Sequence, residues 1–308
     1  MTEMRQIASG LQFPEGPVAL DDGSVLLVEI KRGTLSRVAA DGSVSVVADC
    51  GGGPNGAAIG PDGAVYVCNN GGFEWLEIRG RDVPGMQPAD YIGGRIQRVT
   101  MDGAVTDLYT EVDGHPLRGP NDLVFDAEGG FYFTDLGKRR PRETDRGGLY
   151  YATPDGDRIE EIAYPLADAN GVGLSPDGSR IYVAETSTGR VWYWDVDGPG
   201  RLRRTGNGPA GAALLHGFPG YQLLDSLAVD SEGNVCVATL ITGGISVLGP
   251  DGELKDVRKP PRHDPHVTNI CFGGPDLRTA YITSSGRGLL YELEWHCPGL
   301  ELNHARRG

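Results

Sequence analysis

The chain has 308 residues, of which 39% are apolar, with 48 glycines, 21 prolines and a formal net charge of −14. The apolar share is enough to bury a core, and the glycines sit at turns instead of in a tract, which argues against disorder. The acidic balance argues against nucleic-acid and anionic-membrane partners, whose recognition needs basic patches.

The predicted elements are short strands punctuated by turns. In chain order, strands near 17–20, 25–30, 33–38 and 44–48 make a first unit, and 56–59, 64–68, 94–99 and 104–109 a second. A third comprises 122–126, 130–134, 147–152 and 157–163. The fourth has 171–175, 180–185 and 189–196, with an indistinct outer strand before the Gly/Pro-rich stretch 205–220. The fifth has 226–230, 234–239, 243–248 and 254–258, and the sixth only 270–273, 279–283 and 288–295. Met4–Ala8 belongs to no other unit and is the predicted donor of the missing strand. No amphipathic helix of normal length stands out.

Every unit carries the same signature. Glu15, Asn55, Asn121, Asn170, Asp225 and Asn269 each stand seven positions before a turn carboxylate: Asp22, Asp62, Glu128, Asp177, Glu232 and Asp276. These head residues are separated by 40, 66, 49, 55 and 44 positions. Four-stranded blades run to roughly 40–50 residues, so the spacing predicts one all-β domain over 1–308, a six-bladed β-propeller with four-stranded antiparallel blades. Closing the ring with the N-terminal strand removes sheet edges that invite aggregation. Each head opens an innermost strand, which puts all six on one face around the axis. The connection between second and third strands returns to that face. The longest such connection, Asn69–Gly93, explains the 66-residue interval, carries Phe73, Trp75 and Tyr91, and is expected to be a lid over the channel.

Six oxygen-bearing side chains converging on an axis suit a hard divalent cation, calcium ahead of magnesium and manganese. Asn and Asp also open strands because they cap turns. Six at equivalent places, with the two acids confined to the first and fifth units, favour a site over that bland reading. Other candidates weigh less. His115 and His266 read as turn histidines, although His266 lies three residues before Asn269, and His296 reads as peripheral. Lys138-Arg139-Arg140-Pro141-Arg142 reads as a solvated loop, with attraction of an acidic substrate as the sharper alternative. Trp192-Tyr193-Trp194 reads as inter-blade packing. Gly51-Gly52-Gly53 lacks the residues of a phosphate loop. Of the five cysteines, Cys68, Cys236 and Cys271 fall in predicted strands and read as buried reduced thiols. The first six residues lack the apolar run of a signal peptide and no stretch approaches membrane-spanning length, so a cytoplasmic location is expected.

Phe-Pro-Glu-Gly-Pro at 13–17, Pro-Asn-Asp at 120–122, Ala-Asn-Gly at 169–171, Asp225-Ser226-Leu227-Ala228-Val229-Asp230 and Thr268-Asn269-Ile270-Cys271-Phe272 carry a family likeness. Over nearly its whole length the chain resembles the regucalcin (senescence marker protein)/gluconolactonase family. The resemblance implies a six-bladed propeller with a divalent metal in the channel, and hydrolysis of sugar-acid lactones or similar small cyclic esters. It implies Glu15, Asn170 and Asp225 as metal ligands, and Asn121 as a further ligand or a substrate contact. Asn55 and Asn269 share the ring and are expected to bind water or substrate. Sugar-lactonase members often carry an Arg two positions before the third-blade Asn; here that position is Gly119, with Arg118 beside it. Arg118, Phe73, Trp75, Tyr91 and His266 are the remaining candidate substrate contacts, and the aromatic lid admits a less polar lactone.

The expected cofactor is one divalent ion, calcium first, with Mg, Mn, Zn and Fe as alternatives. The expected partner is a small-molecule lactone, and the chain is expected to be a monomer or small homo-oligomer. In the implied chemistry the metal polarises the carbonyl, and Asp225 or a metal-bound hydroxide serves as base. An Asp bound to a cation is a weak base, so the two stand equal. The rival classes are a non-catalytic calcium- or ligand-binding propeller and a phosphotriester-type hydrolase at the same metal.

Overall fold

A computed structural model describes residues 4–304. Six antiparallel sheets form the blades of a propeller. Their inner strands are Pro14–Ala19, Pro54–Ile59, Pro120–Phe125, Ala169–Leu174, Leu224–Val229 and Val267–Gly273. Each packs on the next, and the last packs on the first, around the axis. Second strands such as Val25–Glu29 and Phe131–Asp135 are buried along their whole length, because each sheet is covered on both faces. Outer strands such as Val44–Asp49 are largely exposed. The core is therefore a set of inter-blade clusters instead of one central one.

The ring closes as expected. Arg5–Ala8 pairs antiparallel with Leu289–Glu294, with Arg5 opposite Glu292 and Ala8 opposite Leu290, and supplies the outer strand of blade six. Blade four departs from four strands. Its outer position is split between Arg201–Arg203 and Ala213–Gly217, which pair with the two ends of Arg190–Gly198. Among the described residues the only helical turns are Pro209–Gly211 and Ser285–Arg287, and no helix is long and apolar enough to cross a membrane.

The turns at the far ends of the inner strands correct one detail. Asp22, Asp62, Asp177 and Asp276 accept the amide two residues on, as their positions imply. In blades three and five that role falls to Asp126 and Asp230, not to Glu128 and Glu232. The shorter side chain is the one that folds back onto its own turn. Cys68 and Cys236 are buried as read, whereas Cys271 is only partly so.

On this turn face the chain after blade six crosses the propeller. Ser231 N–H donates to Pro298 O at 2.9 Å, Leu300 N–H to Val229 O at 3.1 Å, and Asn303 Nδ2 to Phe125 O at 3.1 Å. Above it lies a cavity of about 250 Å³, lined by axial side chains such as Val18, Leu123, Val172, Leu227 and Ile270. It is mainly apolar, and it lies across the ring of heads from the Asn69–Gly93 connection.

Candidate functional site

A bulge stands at each head residue. Pro120 pairs with Asp135 and Leu123 with Phe133, so two inner-strand residues, Asn121 and Asp122, face one partner residue. The same irregularity falls between Pro54 and Ala57, Ala169 and Val172, and Leu224 and Leu227, and next to Glu15 and Asn269. A bulge re-aims side chains and interrupts alternation. The glycines after the heads answer a second demand, close approach of neighbouring blades. A Cβ on Gly171 would stand 2.6 Å from Leu227 N, and one on Gly16, at φ +50°, 2.6 Å from Ala57 N.

The ring is oxygen-rich and largely buried. Glu15, Asn55, Asn121, Asn170 and Asn269 are buried, and Asp225 is partly buried. Asn269 Nδ2 donates to Glu15 Oε2 at 2.7 Å, and Gly16 N–H donates to the same oxygen at 2.7 Å. Asn170 Nδ2 donates to Thr186 Oγ1 at 3.1 Å. Glu15 Oε1, Asn121 Oδ1 and Asn170 Oδ1 are buried without a hydrogen-bond partner. Buried polar atoms are normally satisfied, so three orphan acceptors in one ring need an explanation.

The electrostatics point the same way. Burial pushes the Glu15 carboxyl up to about 7. Burial, then the charge of Glu15, raises Asp225 well above the usual carboxylate range. A third acid, Asp122, is pushed up to about 8 by burial and then by Glu15. Three carboxyls that resist ionisation together, beside the orphan amide oxygens of Asn121 and Asn170, fit a hard divalent cation, which would reverse each shift. Asp122 is the residue that sequence reasoning left out of the site. Its signal was the Asn-Asp pair itself, which strand alternation would have sent to opposite faces.

The Asn69–Gly93 connection contains a hairpin, Trp75–Glu77 with Asp82–Pro84. Trp75 packs on Phe13 with ring centroids 5.1 Å apart, Phe73 meets Trp75 at 6.2 Å, and His266 meets Phe13 edge-on at 5.9 Å. Phe13, two residues before Glu15, holds φ +58°. A non-glycine residue in that region is strained, at a cost of about 1–3 kcal/mol, and such strain gathers at functional sites. His266 is partly buried, and burial lowers its pKa. Tyr91 Oη donates to Arg118 O at 2.5 Å, while Arg118 itself is exposed.

The basic run at 138–142 is not a solvated loop throughout. Lys138 is 1% exposed, donating to Gly72 O at 2.6 Å and Asn70 Oδ1 at 3.3 Å. Its Nζ lies 4.1 Å from the Phe73 ring centroid and 5.5 Å from that of Tyr91. Burial pulls its pKa down to about 7. Arg139 pairs with Asp168 at 2.8 Å and Arg140 with Asp145 at 2.5 Å, so these charges are engaged within the protein.

Comparison with known proteins gives the family and the fold. The family model for the SMP-30/Gluconolactonase/LRE-like region matches residues 13–286. The chain belongs to this family. A gluconolactonase of Zymomonas mobilis subsp. mobilis is 27% identical, with 92% of this chain and 79% of the relative covered. A lactonase drp35 of Staphylococcus saprophyticus is 32% identical, covering 84% of this chain and 73% of the relative. Among solved structures, a gluconolactonase from Xanthomonas campestris superposes with TM-score 0.74 at 21% identity, covering 95% of this chain and 89% of that one. A calcium-binding protein, regucalcin, from Agrobacterium tumefaciens superposes with TM-score 0.70 at 19% identity, covering 95% of each. These structural likenesses show the fold, which is the propeller described above.

Proposed function

We propose that this protein is a divalent-metal-dependent hydrolase that opens a lactone to its hydroxy acid. The observation that carries the reading is the ring in which Glu15 Oε1, Asn121 Oδ1 and Asn170 Oδ1 lie buried and unpartnered near the Asp225 carboxyl. The lactonase names of its relatives support the substrate class, and the calcium-binding name of one structural neighbour supports calcium.

Glu15, Asn121, Asn170 and Asp225 would hold the ion. When bound, the ion polarises the lactone carbonyl and stabilises the developing oxyanion. Asn269 orients Glu15 through its 2.7 Å hydrogen bond, leaving the other Glu15 oxygen for the ion. Asp225 takes a proton from a water whose oxygen bonds to the carbonyl carbon. The ring C–O bond then breaks, the proton held by Asp225 passes to the leaving oxygen, and lactone plus water becomes hydroxy acid. Phe13, Trp75 and Phe73 wall the mouth and exclude bulk water, as a lid over the site requires. Their apolar surface favours a lactone with an apolar flank, and Asn55 and Arg118 supply polar contacts at the ring and rim.

A chelated sample screened with sugar, aliphatic and aromatic lactones, with calcium, magnesium, manganese, zinc or ferrous ion added singly, tests the reading. Turnover restored by one metal and lowered roughly 10²–10⁴-fold in Asp225→Asn is the expected result for loss of a general base. Normal turnover in Asp225→Asn would remove that residue from the chemistry. A bound metal without turnover on any lactone would turn the reading to an ion-binding propeller.

A further inference from the structure

We propose that Asp230, His296 and Cys297 form a second metal site, of zinc type, on the face away from the channel mouth, where an ion clamps the C-terminal crossing to blade five. One ligand atom from each of the three lies within 4.8 Å of the other two. His296 Nε2 is 3.8 Å from Asp230 Oδ2. Ligand atoms around one tetrahedral zinc stand about 3.2–3.8 Å apart, so a small rotation of the exposed His296 ring closes the set.

The local structure explains why two consecutive side chains reach one point. After Trp295 the chain bends at His296 and Cys297 before Gly299 bridges to Asp230. In extended backbone those side chains would point apart. Asp230 is held rigidly, with Oδ1 accepting from the amides of Glu232 and Asn234, both at 3.0 Å. Oδ2 accepts Asn234 Nδ2 at 2.8 Å and retains acceptor capacity.

A second, independent feature is the lack of a Lys or Arg partner for a fully buried carboxyl. Asp230 is fully buried, and among the described residues no lysine or arginine forms an ion pair with it. The nearby Lys255 Nζ donates instead to Asn234 Oδ1 at 2.7 Å. A buried charge is normally paired or coordinates a metal. Cys297 is itself buried beside Asp230. Binding replaces the thiol proton with the ion and releases that proton to solvent. One S, one N and one O donor select a borderline-soft ion, unlike the all-oxygen channel ring. His296, with its side chain 41% exposed, leaves the fourth position open to water. The clamp would strengthen the joint already made by Ser231 N–H and Pro298 O.

Cobalt(II) is the probe, added to the full chain in excess calcium so that the channel ring does not compete for it. A thiolate-to-cobalt charge-transfer band saturating near about one equivalent is expected, because a thiolate must ligate the ion. It should vanish in Cys297→Ser, weaken at least about tenfold in affinity in His296→Ala, and persist in Glu15→Gln. His296→Ala alters an exposed side chain, so loss of fold does not obscure the result. Absence of the band in the unaltered protein, or its persistence at equal strength in either Cys297→Ser or His296→Ala, would overturn the site. Either result stands apart from the channel, which contributes no sulfur.

Discussion

Asn269 donates its side-chain amide to Glu15 Oε2 at 2.7 Å, joining the last head residue of the ring to the first across 254 positions. The same Asn269 accepts Ile270 N–H through Oδ1 at 2.7 Å, so it serves Glu15 in a fixed orientation. Asn269→Ala should lower calcium affinity roughly 10–100-fold while leaving the fold intact, as loss of a ligand-orienting partner does. Titration calorimetry measures this, and an unchanged affinity would mean that Gly16 N–H alone orients Glu15.

Glu15→Gln removes one of three neighbouring carboxyls, itself fully buried. Without metal the variant should be as stable as the parent or more so, by about 1–3 kcal/mol, because an uncompensated buried charge is costly. It should also lack the rise in melting temperature expected when calcium is added to the parent. A variant that melts lower than the parent in chelator would show that the Glu15 charge already has an adequate partner.

The metal-free protein should be less stable at alkaline than at mildly acidic pH, as far as these acids decide it. Glu15 near 7 and Asp122 near 8 hold protons in the folded chain that the unfolded chain has released. Their contribution is full below about pH 4 and is lost as the pH rises through about 7–8. Calcium requires the ionised forms, so its affinity should rise over the same interval. Urea melts at several pH values, with chelator and with calcium, check both signs.

Lys138 acts with the opposite sign. Its folded value near 7 lies below that of a free lysine, so the unfolded chain binds the extra proton between about pH 7 and 10. Its contribution is full above about pH 10 and lost as the pH falls through about 7. Lys138→Met keeps the stem packed against Phe73 and Tyr91 and should raise stability at pH 6 by about 1–3 kcal/mol. A fall at pH 6 would show that its bonds to Gly72 and Asn70 outweigh the cost of burial.

Deleting residues 1–9 should lower the melting temperature sharply and promote association. The deletion removes the pairing of Arg5–Ala8 with Leu289–Glu294 and exposes that strand's edge. An unchanged melt and a monomeric profile in light scattering would show that the ring holds without this strand.

Much of the fold was legible because the chain repeats one local rule. An oxygen-bearing head, an apolar strand and a turn carboxylate recur six times, and inner strands such as Pro120–Phe125 and Ala169–Leu174 fall where that rule puts them. Blade four hid its outer edge because Arg201–Arg203 and Ala213–Gly217 are too short, and too interrupted by Gly and Pro, to show a period. The bulges were hidden because one extra residue in a strand leaves hydrophobicity almost unaltered.

The sequence by itself determined the blade count, the strand that closes the ring, the six heads and the family, since each rests on residue type at fixed spacing. Only the tertiary structure decided that Asp122 joins Glu15 and Asp225, that Lys138 is buried beneath Phe73 and Tyr91, and that His296 and Cys297 meet Asp230. Those facts depend on surfaces brought together from distant parts of the chain. The burial and charge coupling that set their chemistry exist only once the blades have packed.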